Sequence, residues 1–233
     1  MTGRILWIAM LLCVGVMTIF AQLDRSARFD SSLVPFVPAP FAAFAAQRET
    51  EMALLQGDPD RALSAARRLV DKRPIPAENL TLLAQAQALA GEDTAALQSL
   101  EAAAGRGWRE PFAQNAMAAA ALASGEREIA AQRIAALWAV GIDRPRLATL
   151  TRTMLSDQEG RIAFARQLAA EGRWQSNFIT GAASMAPGMH VADTVVRARE
   201  EGASLDCRAL ATLADGLAGS GEAELAARVQ AGC

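Results

Sequence analysis

Three glycines at a constant spacing restrict the fold of this chain more than any other sequence feature. They stand at positions 57, 91 and 125, with a spacing of 34 residues in both intervals. An acidic residue follows each glycine and an alanine lies five residues after it; these are Asp58, Glu92 and Glu126, and Ala62, Ala96 and Ala130. A repeat of this length is typical of arrays of helix pairs, in which each pair buries its apolar face against its neighbours.

The residue types in the repeat predict a helix, a turn at the glycine and a second helix. Glycine readily adopts the left-handed backbone that ends the first helix. The acidic residue favours the start of the second helix because it faces the positive end of the helix dipole. The alanine lets the two helices approach closely. Other aligned positions hold Thr50, Ala84 and Ala118; Ala66, Leu100 and Ile134; and Leu69, Ala103 and Leu137.

Composition supports an all-α fold. Apolar residues make up 52% of the chain but aromatic residues only 5%, and the excess is alanine, the best helix former. The β-branched and aromatic runs that mark strands are scarce. The net charge is −2 with mixed charges, so we expect no nucleic-acid binding, which would require a basic face.

The repeat resembles the tetratricopeptide repeat family. Its signature positions are clearest in the second copy, as Leu80, Leu83, Ala84, Ala96, Leu100 and Ala103, and the resemblance covers roughly residues 43–142. Pro74 stands where that family often ends a unit, and Trp108 and Ile142 occupy the equivalent places later. Glu49 replaces an expected large apolar residue and no copy carries the usual tyrosine, so related helical-hairpin repeats remain an alternative.

Further hairpins are predicted after residue 142. They pair Arg146–Ser156 with Gln158–Glu171, Arg173–Met185 with Met189–Glu201, and Asp206–Ala218 with Glu222–Ala231. We therefore predict an α-solenoid of about five to six antiparallel helix pairs over residues 41–233, with a capping hairpin at 204–233. An alternative for Arg173–Gly188 is a functional loop.

The N-terminal segment predicts a transmembrane signal-anchor within residues 1–23. Ile5–Leu23 is an uncharged run of 19 residues, which as a helix spans about 28 Å, close to the thickness of a bilayer core. The alternative is a signal peptide cleaved after Ala21, but Ile19 does not suit the small-residue cleavage pattern. The orientation that we expect places the folded part outside the cytoplasm, in the periplasm, with the anchor in the inner membrane.

Residues 24–40 differ in character from the anchor before them. Pro35, Pro38 and Pro40 favour an extended or polyproline-like backbone. We interpret this stretch as a stiff linker between the membrane and the helical domain.

Two cysteines occupy symmetric places in the last predicted hairpin. Cys207 and Cys233 each lie 13 residues from Ser220, where the hairpin turns, and therefore face each other at its open end. A disulfide between them would suit an oxidising periplasm. The alternative is two unrelated thiols.

No catalytic arrangement is evident. His190 is the only histidine, and no nucleophile or metal-ligand motif surrounds it. No phosphate-binding glycine loop occurs, and no carboxylate pair stands out from the solvated ones. We therefore expect no enzyme activity, catalytic residue, metal or cofactor.

The resemblance also implies a binding surface. In tetratricopeptide proteins the first helices of the units line a concave groove that accepts peptide or helix segments. Mapped onto this sequence, the groove residues are Phe44, Gln47, Glu51, Glu78, Thr81, Gln85, Phe112 and Asn115. This lining lacks the basic set that binds a peptide's C-terminal carboxylate in chaperone-binding members. A convex or terminal surface is the alternative interface.

These features together predict a membrane-anchored scaffold or adaptor that binds a protein or peptide in the bacterial cell envelope. One alternative is a structural subunit of an inner-membrane complex. The other is a cell-wall glycan enzyme on a helical framework.

Overall fold

The computed structural model describes residues 2–141, 144–170, 172–231 and 233. Every regular element in these ranges is helical. The α-helices are α1 (Thr2–Ala27), α2 (Phe44–Gln56), α3 (Pro59–Lys72), α4 (Ala77–Leu89), α5 (Asp93–Gly105), α6 (Pro111–Ser124), α7 (Arg127–Val140), α8 (Arg144–Ser156), α9 (Gln158–Ala169), α10 (Trp174–Gly181), α11 (Gly188–Glu200), α12 (Cys207–Gly219) and α13 (Ala223–Gln230). Short 3-10 helices occupy Ser31–Phe36 and Ala182–Ser184. The predicted all-α fold, an apolar helix followed by packed helix pairs of an α-solenoid, is confirmed.

The chain divides into two compact units, residues 1–103 and 104–233. The helix pairs α2–α3 and α3–α4 pack within the first unit. The pairs α6–α7, α8–α9 and α12–α13 pack within the second, where α9 also packs against α7 and α11.

The repeat positions have the roles that the sequence predicted. Gly57, Gly91 and Gly125 have φ values of 68°, 76° and 80°, in the left-handed region that suits glycine after a helix. Asp58 caps α3, because its side chain accepts a hydrogen bond from the backbone of Arg61 at 3.1 Å. The repeated alanines at 62, 96 and 130 are all buried, as are most of the other aligned side chains.

Alanine dominates the interior of the first unit. One cluster of buried residues consists of Ala53, Ala62, Ala66 and Ala86, with three leucines packed around it. Glu49, which departs from the family pattern, has a structural explanation. Its carboxylate accepts hydrogen bonds from Arg68 at 2.6 Å and Arg61 at 3.5 Å, so ion pairs with α3 replace the apolar contact.

The stretch at 24–40 is not the extended linker that its prolines predicted. Helix α1 continues to Ala27, and a 3-10 helix follows at Ser31–Phe36. Asp30 caps that 3-10 helix by accepting a hydrogen bond from the backbone of Ser32 at 2.9 Å. Pro35 lies inside it, since the fixed φ of proline is compatible with a helical turn. The segment packs against α1 and α2, so it is part of the first unit.

Asp24 provides the main polar contact between α1 and the helix pairs. Its buried carboxylate accepts hydrogen bonds from the backbone N–H groups of Phe44 at 3.0 Å and Ala45 at 2.9 Å. These are first-turn donors of α2, whose own cap residue, Ala43, offers no side-chain acceptor. A carboxylate at this place also favours the positive end of the helix dipole. The interaction fixes the end of α1 to the start of α2.

The second unit has the larger and more aromatic core. Phe164 on α9 and Phe178 on α10 are fully buried, and their ring centroids lie 4.8 Å apart. Trp174 and Trp138 contact these rings at centroid distances of 5.7 Å and 5.5 Å. Trp138 also donates a hydrogen bond from Nε1 to the Thr151 hydroxyl at 3.2 Å, which links α7 to α8.

The predicted hairpins of this unit agree with the helices within a few residues. The second 3-10 helix ends at Ser184, and α11 begins at Gly188, at the predicted Pro187-Gly188 break. Arg173–Gly188 contains a short helix and a 3-10 turn with a buried apolar face. Ile142 and Glu171, which ended predicted elements, lie outside the described residues.

Gly160 is required for the close turn between α8 and α9. A Cβ atom at this position would lie 1.9 Å from the backbone carbonyl oxygen of Met154. Because the obstacle is backbone, we expect Gly160→Ala to lower the free energy of unfolding by about 1–3 kcal/mol. Thermal denaturation followed by circular dichroism measures this loss. Gly216→Ala is the control, since a Cβ there meets open space; equal melting of the two variants would contradict the prediction.

Asp193 on α11 links that helix to α9. Its Oδ2 accepts hydrogen bonds from Arg161 Nε at 2.7 Å and Arg197 Nε at 3.0 Å. Burial raises the pKa of Asp193, but the hydrogen bonds and charges of these two arginines outweigh it and hold the pKa below its ordinary value. The ionised form is therefore favoured by folding, and its contribution is lost as the pH falls through the lowered pKa.

Asp193→Asn is expected to lower the free energy of unfolding by about 1–2 kcal/mol at neutral pH. The difference from the unsubstituted protein should disappear once the pH falls below the lowered pKa, because both side chains are then neutral. Denaturant titrations at neutral and strongly acidic pH measure this. Asp215→Asn, at an exposed position of α12, is the matched control and should change little. A stability difference that is independent of pH would contradict the explanation.

Candidate functional site

The residues predicted to line a groove are divided between the two units and differ in exposure. Six of them belong to the first unit, while Phe112 and Asn115 lie on α6 in the second. Thr81 is only 4% exposed. Glu78 and Phe112 are exposed, and Gln85 and Asn115 are half-buried.

The three groove residues on α2 already have partners in the folded chain. Gln47 donates a hydrogen bond to Glu51 at 3.1 Å and accepts one from Arg73 at 3.4 Å. Phe44 lies between two guanidinium groups, those of Arg73 and Arg28, whose carbons are 4.1 Å and 5.6 Å from the ring centroid. Such cation–π contacts stabilise the fold but leave less of the ring for a ligand.

The second unit contains a cleft of about 840 Å³ that the sequence did not predict. Its walls come from the end of α5, the loop before α6, and the facing sides of α6, α7, α9 and α10. The lining residues are Ala104, Gly105, Gly107, Trp108, Arg109, Gln114, Gln132, Arg133, Ala135, Ala136, Ala139, Gln167, Arg173, Trp174 and Asn177. A volume of this size is typical of sites for small molecules or short peptide segments.

The charged residues of the cleft lining all carry positive charge. Arg109, Arg133 and Arg173 line it, and none of the lining residues is acidic. Within the described part of the chain, none of these three arginines forms an ion pair with a carboxylate. Glu110, next to Arg109, is buried and its carboxylate caps α6 by accepting a hydrogen bond from Ala113. Among the described residues, the lining of the cleft therefore carries positive charge without an acidic side chain.

A polar network holds the wall of the cleft in place. Gln114 is 1% exposed, and its amide nitrogen donates to the carbonyl oxygens of Ala104 at 3.1 Å and Gly107 at 3.0 Å. Arg133 on α7 donates from Nη1 to Ala104 O at 3.1 Å and to Gln114 Oε1 at 3.2 Å. These bonds satisfy carbonyl groups at the end of α5 and fix the loop that carries Trp108 and Arg109.

The two tryptophans of the cleft differ in accessibility. Trp108 is 47% exposed, and the guanidinium carbon of Arg109 lies 4.8 Å from its ring centroid. Trp174 is 9% exposed and packs on Phe164 and Phe178 of the core. Trp174 is thus held by the core where it lines the cleft. Trp108 is exposed and orients Arg109.

A sequence signal for this cleft exists in retrospect. The segments Gly105–Arg109 and Gly172–Gln175 each place arginine beside tryptophan, and the whole chain has only four tryptophans. This signal was not used because the repeat pattern placed Trp108 at the end of a unit, where a purely structural role was expected.

A disulfide joins Cys207 at the start of α12 to Cys233, the pair that the position of the turn indicated. The two Cα atoms are 5.6 Å apart. Arg199 on α11 donates hydrogen bonds to the carbonyl oxygens of Val229 at 3.1 Å and Ala231, which holds the same chain end. Cys13, on α1, is a free thiol.

The histidine and the acidic residues show no metal-binding arrangement. Among the described residues, no group of three or more histidine, cysteine, aspartate or glutamate side chains could hold an ion. His190 lies in the first turn of α11, and its Nδ1 is buried without a hydrogen-bond partner in the described part of the chain.

Helix α1 is long and apolar enough to cross a membrane, over Gly3–Ala27. The side chains between residues 3 and 19 are exposed. Comparison of the chain with protein-family models and with curated proteins finds no match.

Proposed function

We propose that this protein is a membrane-anchored scaffold that recruits a protein partner to the membrane surface. The observation that carries the proposal is the contact between α1 and the helix pairs. A membrane-length apolar helix continues past its apolar run into the first unit, where the Asp24 carboxylate caps α2. This arrangement holds stacked helical hairpins at the end of a membrane helix, and such hairpins commonly provide extended binding surfaces.

The disulfide supports a location outside the cytoplasm. Disulfide bonds persist in oxidising compartments and are rare in cytosolic proteins. The Cys207–Cys233 bridge therefore favours a periplasmic position for the folded part, with α1 in the bacterial inner membrane. The resemblance of the first repeats to tetratricopeptide proteins supports the same class of function, a binding module without catalysis.

The cleft of the second unit is the better candidate for the docking site. The groove residues on α2 contact other side chains of the same chain. The cleft is open, and it is lined by carboxamides and by arginines that have no carboxylate partner among the described residues. We therefore assign the contact with the partner to the cleft.

Chemical cross-linking of membranes that contain the full-length protein tests the proposal. After purification and mass spectrometry, a scaffold is expected to yield one or two proteins in near-equal amount with itself. A matched control replaces Ile5–Leu23 with an unrelated membrane helix, which should retain these partners. If no protein is recovered above the background of an unrelated anchored protein, the scaffold function is excluded.

A further inference from the structure

We propose that the cleft of the second unit binds an acidic peptide segment of the partner, with Arg109 and Arg173 contacting its carboxylates. The inference rests on the proposed function, because it names the part of the partner that is recognised. It depends on three observations: the unpaired charges, the fixed position of the third arginine, and the carboxamide side chains of the lining.

The arginines of the cleft differ from several other arginines of this unit, which have carboxylate partners. Arg127, Arg161 and Arg166 pair with carboxylates at 2.9 Å, 2.7 Å and 2.8 Å. Arg109 and Arg173 are exposed at the cleft and have no carboxylate partner among the described residues. Guanidinium groups present planar pairs of donors that match a carboxylate. A ligand carboxylate would supply the partner that the described residues do not.

Arg133 has a different role in the same site. Its Nη1 is already bonded to Ala104 O and Gln114 Oε1, so it maintains the wall. Its charge still contributes to the positive potential of the cleft, which attracts anions over several ångströms. The two residues that remain for direct contacts are therefore Arg109, in the loop before α6, and Arg173, directly before α10.

The polar lining of the cleft suits a peptide. Trp108 contacts the guanidinium of Arg109, and Trp174 is buried against the core. The remaining polar side chains, Gln132, Gln167 and Asn177, both donate and accept hydrogen bonds. Carboxamides of this kind match the N–H and C=O groups of a peptide backbone, and the alanines of α7 leave room for side chains.

Binding measurements with the full-length protein in detergent test this inference. The probe is a short acetylated and amidated peptide of alternating glutamate and serine, followed by isothermal titration calorimetry. Its counterpart with glutamine in place of glutamate tests the need for charge. We expect binding of the glutamate peptide only, and weaker binding as the salt concentration rises.

The double variant Arg109→Gln, Arg173→Gln is expected to weaken binding by about tenfold or more, because two charge-assisted hydrogen-bonding groups are lost. Both side chains are exposed, so the circular dichroism spectrum and thermal midpoint should not change. The matched control is Arg152→Gln, Arg228→Gln, which removes the same charge from exposed positions outside the cleft. This control should bind the peptide as the unsubstituted protein does.

Three results would overturn the inference: no binding of the glutamate peptide, equal binding of the glutamine peptide, or equal weakening in the control variant. Tight binding of an oligouronate or of inorganic phosphate in the absence of peptide binding would likewise overturn it and assign the cleft to another anion. The cross-linking experiment separates this failure from that of the proposed function. A partner that the arginine double variant still recruits would leave the scaffold function intact and remove only its assignment to the cleft.

Discussion

Replacing Phe164 by alanine is expected to lower the free energy of unfolding of the second unit by about 3–5 kcal/mol. The ring is fully buried on α9, and its centroid lies 4.8 Å from that of Phe178 and 5.7 Å from that of Trp174. The substitution removes apolar contacts and leaves a cavity that the surrounding helices fill only partly. Because Trp174 forms the floor of the cleft, its indole would lose the support of one ring.

Denaturant unfolding followed by circular dichroism measures the loss. The matched control is Phe112→Ala, at a position that is 37% exposed on α6, which should reduce the stability far less. Tryptophan fluorescence supplies a second observable, since the emission of Trp174 should shift to longer wavelength as water reaches the indole. Equal stability losses at positions 164 and 112 would show that packing of the buried aromatic rings does not stabilise the second unit in particular.

Removal of the disulfide is expected to cost about 3–4 kcal/mol in the stability of the α12–α13 hairpin, given the loop of 26 residues that it closes. The main reason is that the bridge restricts the unfolded chain. Helix α13 has only eight residues, and helices of that length are unstable alone. We therefore expect Cys207→Ser to release α13, which limited proteolysis near the end of the chain would detect first.

The free thiol on α1 provides the control for this prediction. Cys13→Ser should leave both the thermal midpoint and the proteolysis pattern unchanged. Treatment of the unsubstituted protein with a reducing agent should reproduce the behaviour of Cys207→Ser, and should have no effect on the variant itself. If α13 stays protected after reduction, the hydrogen bonds from Arg199 and the apolar contacts hold the hairpin without the bridge.

The local parts of the fold were predictable because each depends on residues that are close in sequence. A helix that ends at a glycine with positive φ, as at Gly57 and Gly125, is determined by the conformational freedom of one residue. The burial of Ala62 and Ala130 follows from helical periodicity. The pairing of Cys207 with Cys233 was also predictable from a local feature, the position of one turn.

The stretch after α1 was not predictable in this way. Three prolines indicated an extended backbone. The observed structure depends instead on the capping of α2 by Asp24, which joins residues about 20 positions apart in the sequence. An acidic residue after an apolar run looks like the water-exposed end of a membrane helix. Only the fold shows that Asp24 is buried and bonded to two backbone N–H groups, and such distant contacts have no local sequence signature.

The candidate site was missed for a related reason. The repeat pattern identifies which residues lie on the first helix of each pair, and it assumes that those helices present an open face. In the first unit, Arg28 and Arg73 surround Phe44, while Thr81 is turned inward. The cleft instead uses a loop residue, Arg109, and residues from four helices that no single period relates. Whether an arginine lacks a carboxylate partner can be judged only when the positions of the surrounding carboxylates are known.

The junction at Asp24 has a mechanical consequence. A flexible linker would let a folded unit reorient freely above a bilayer, whereas a helix bonded at its end to the next helix acts as a lever arm. A membrane helix tilts when its apolar length and the bilayer thickness differ. In the proposed anchoring, α1 would transmit that tilt directly to the first unit through the two bonds of Asp24. The thickness of the membrane would thus set the angle at which that unit stands on the surface.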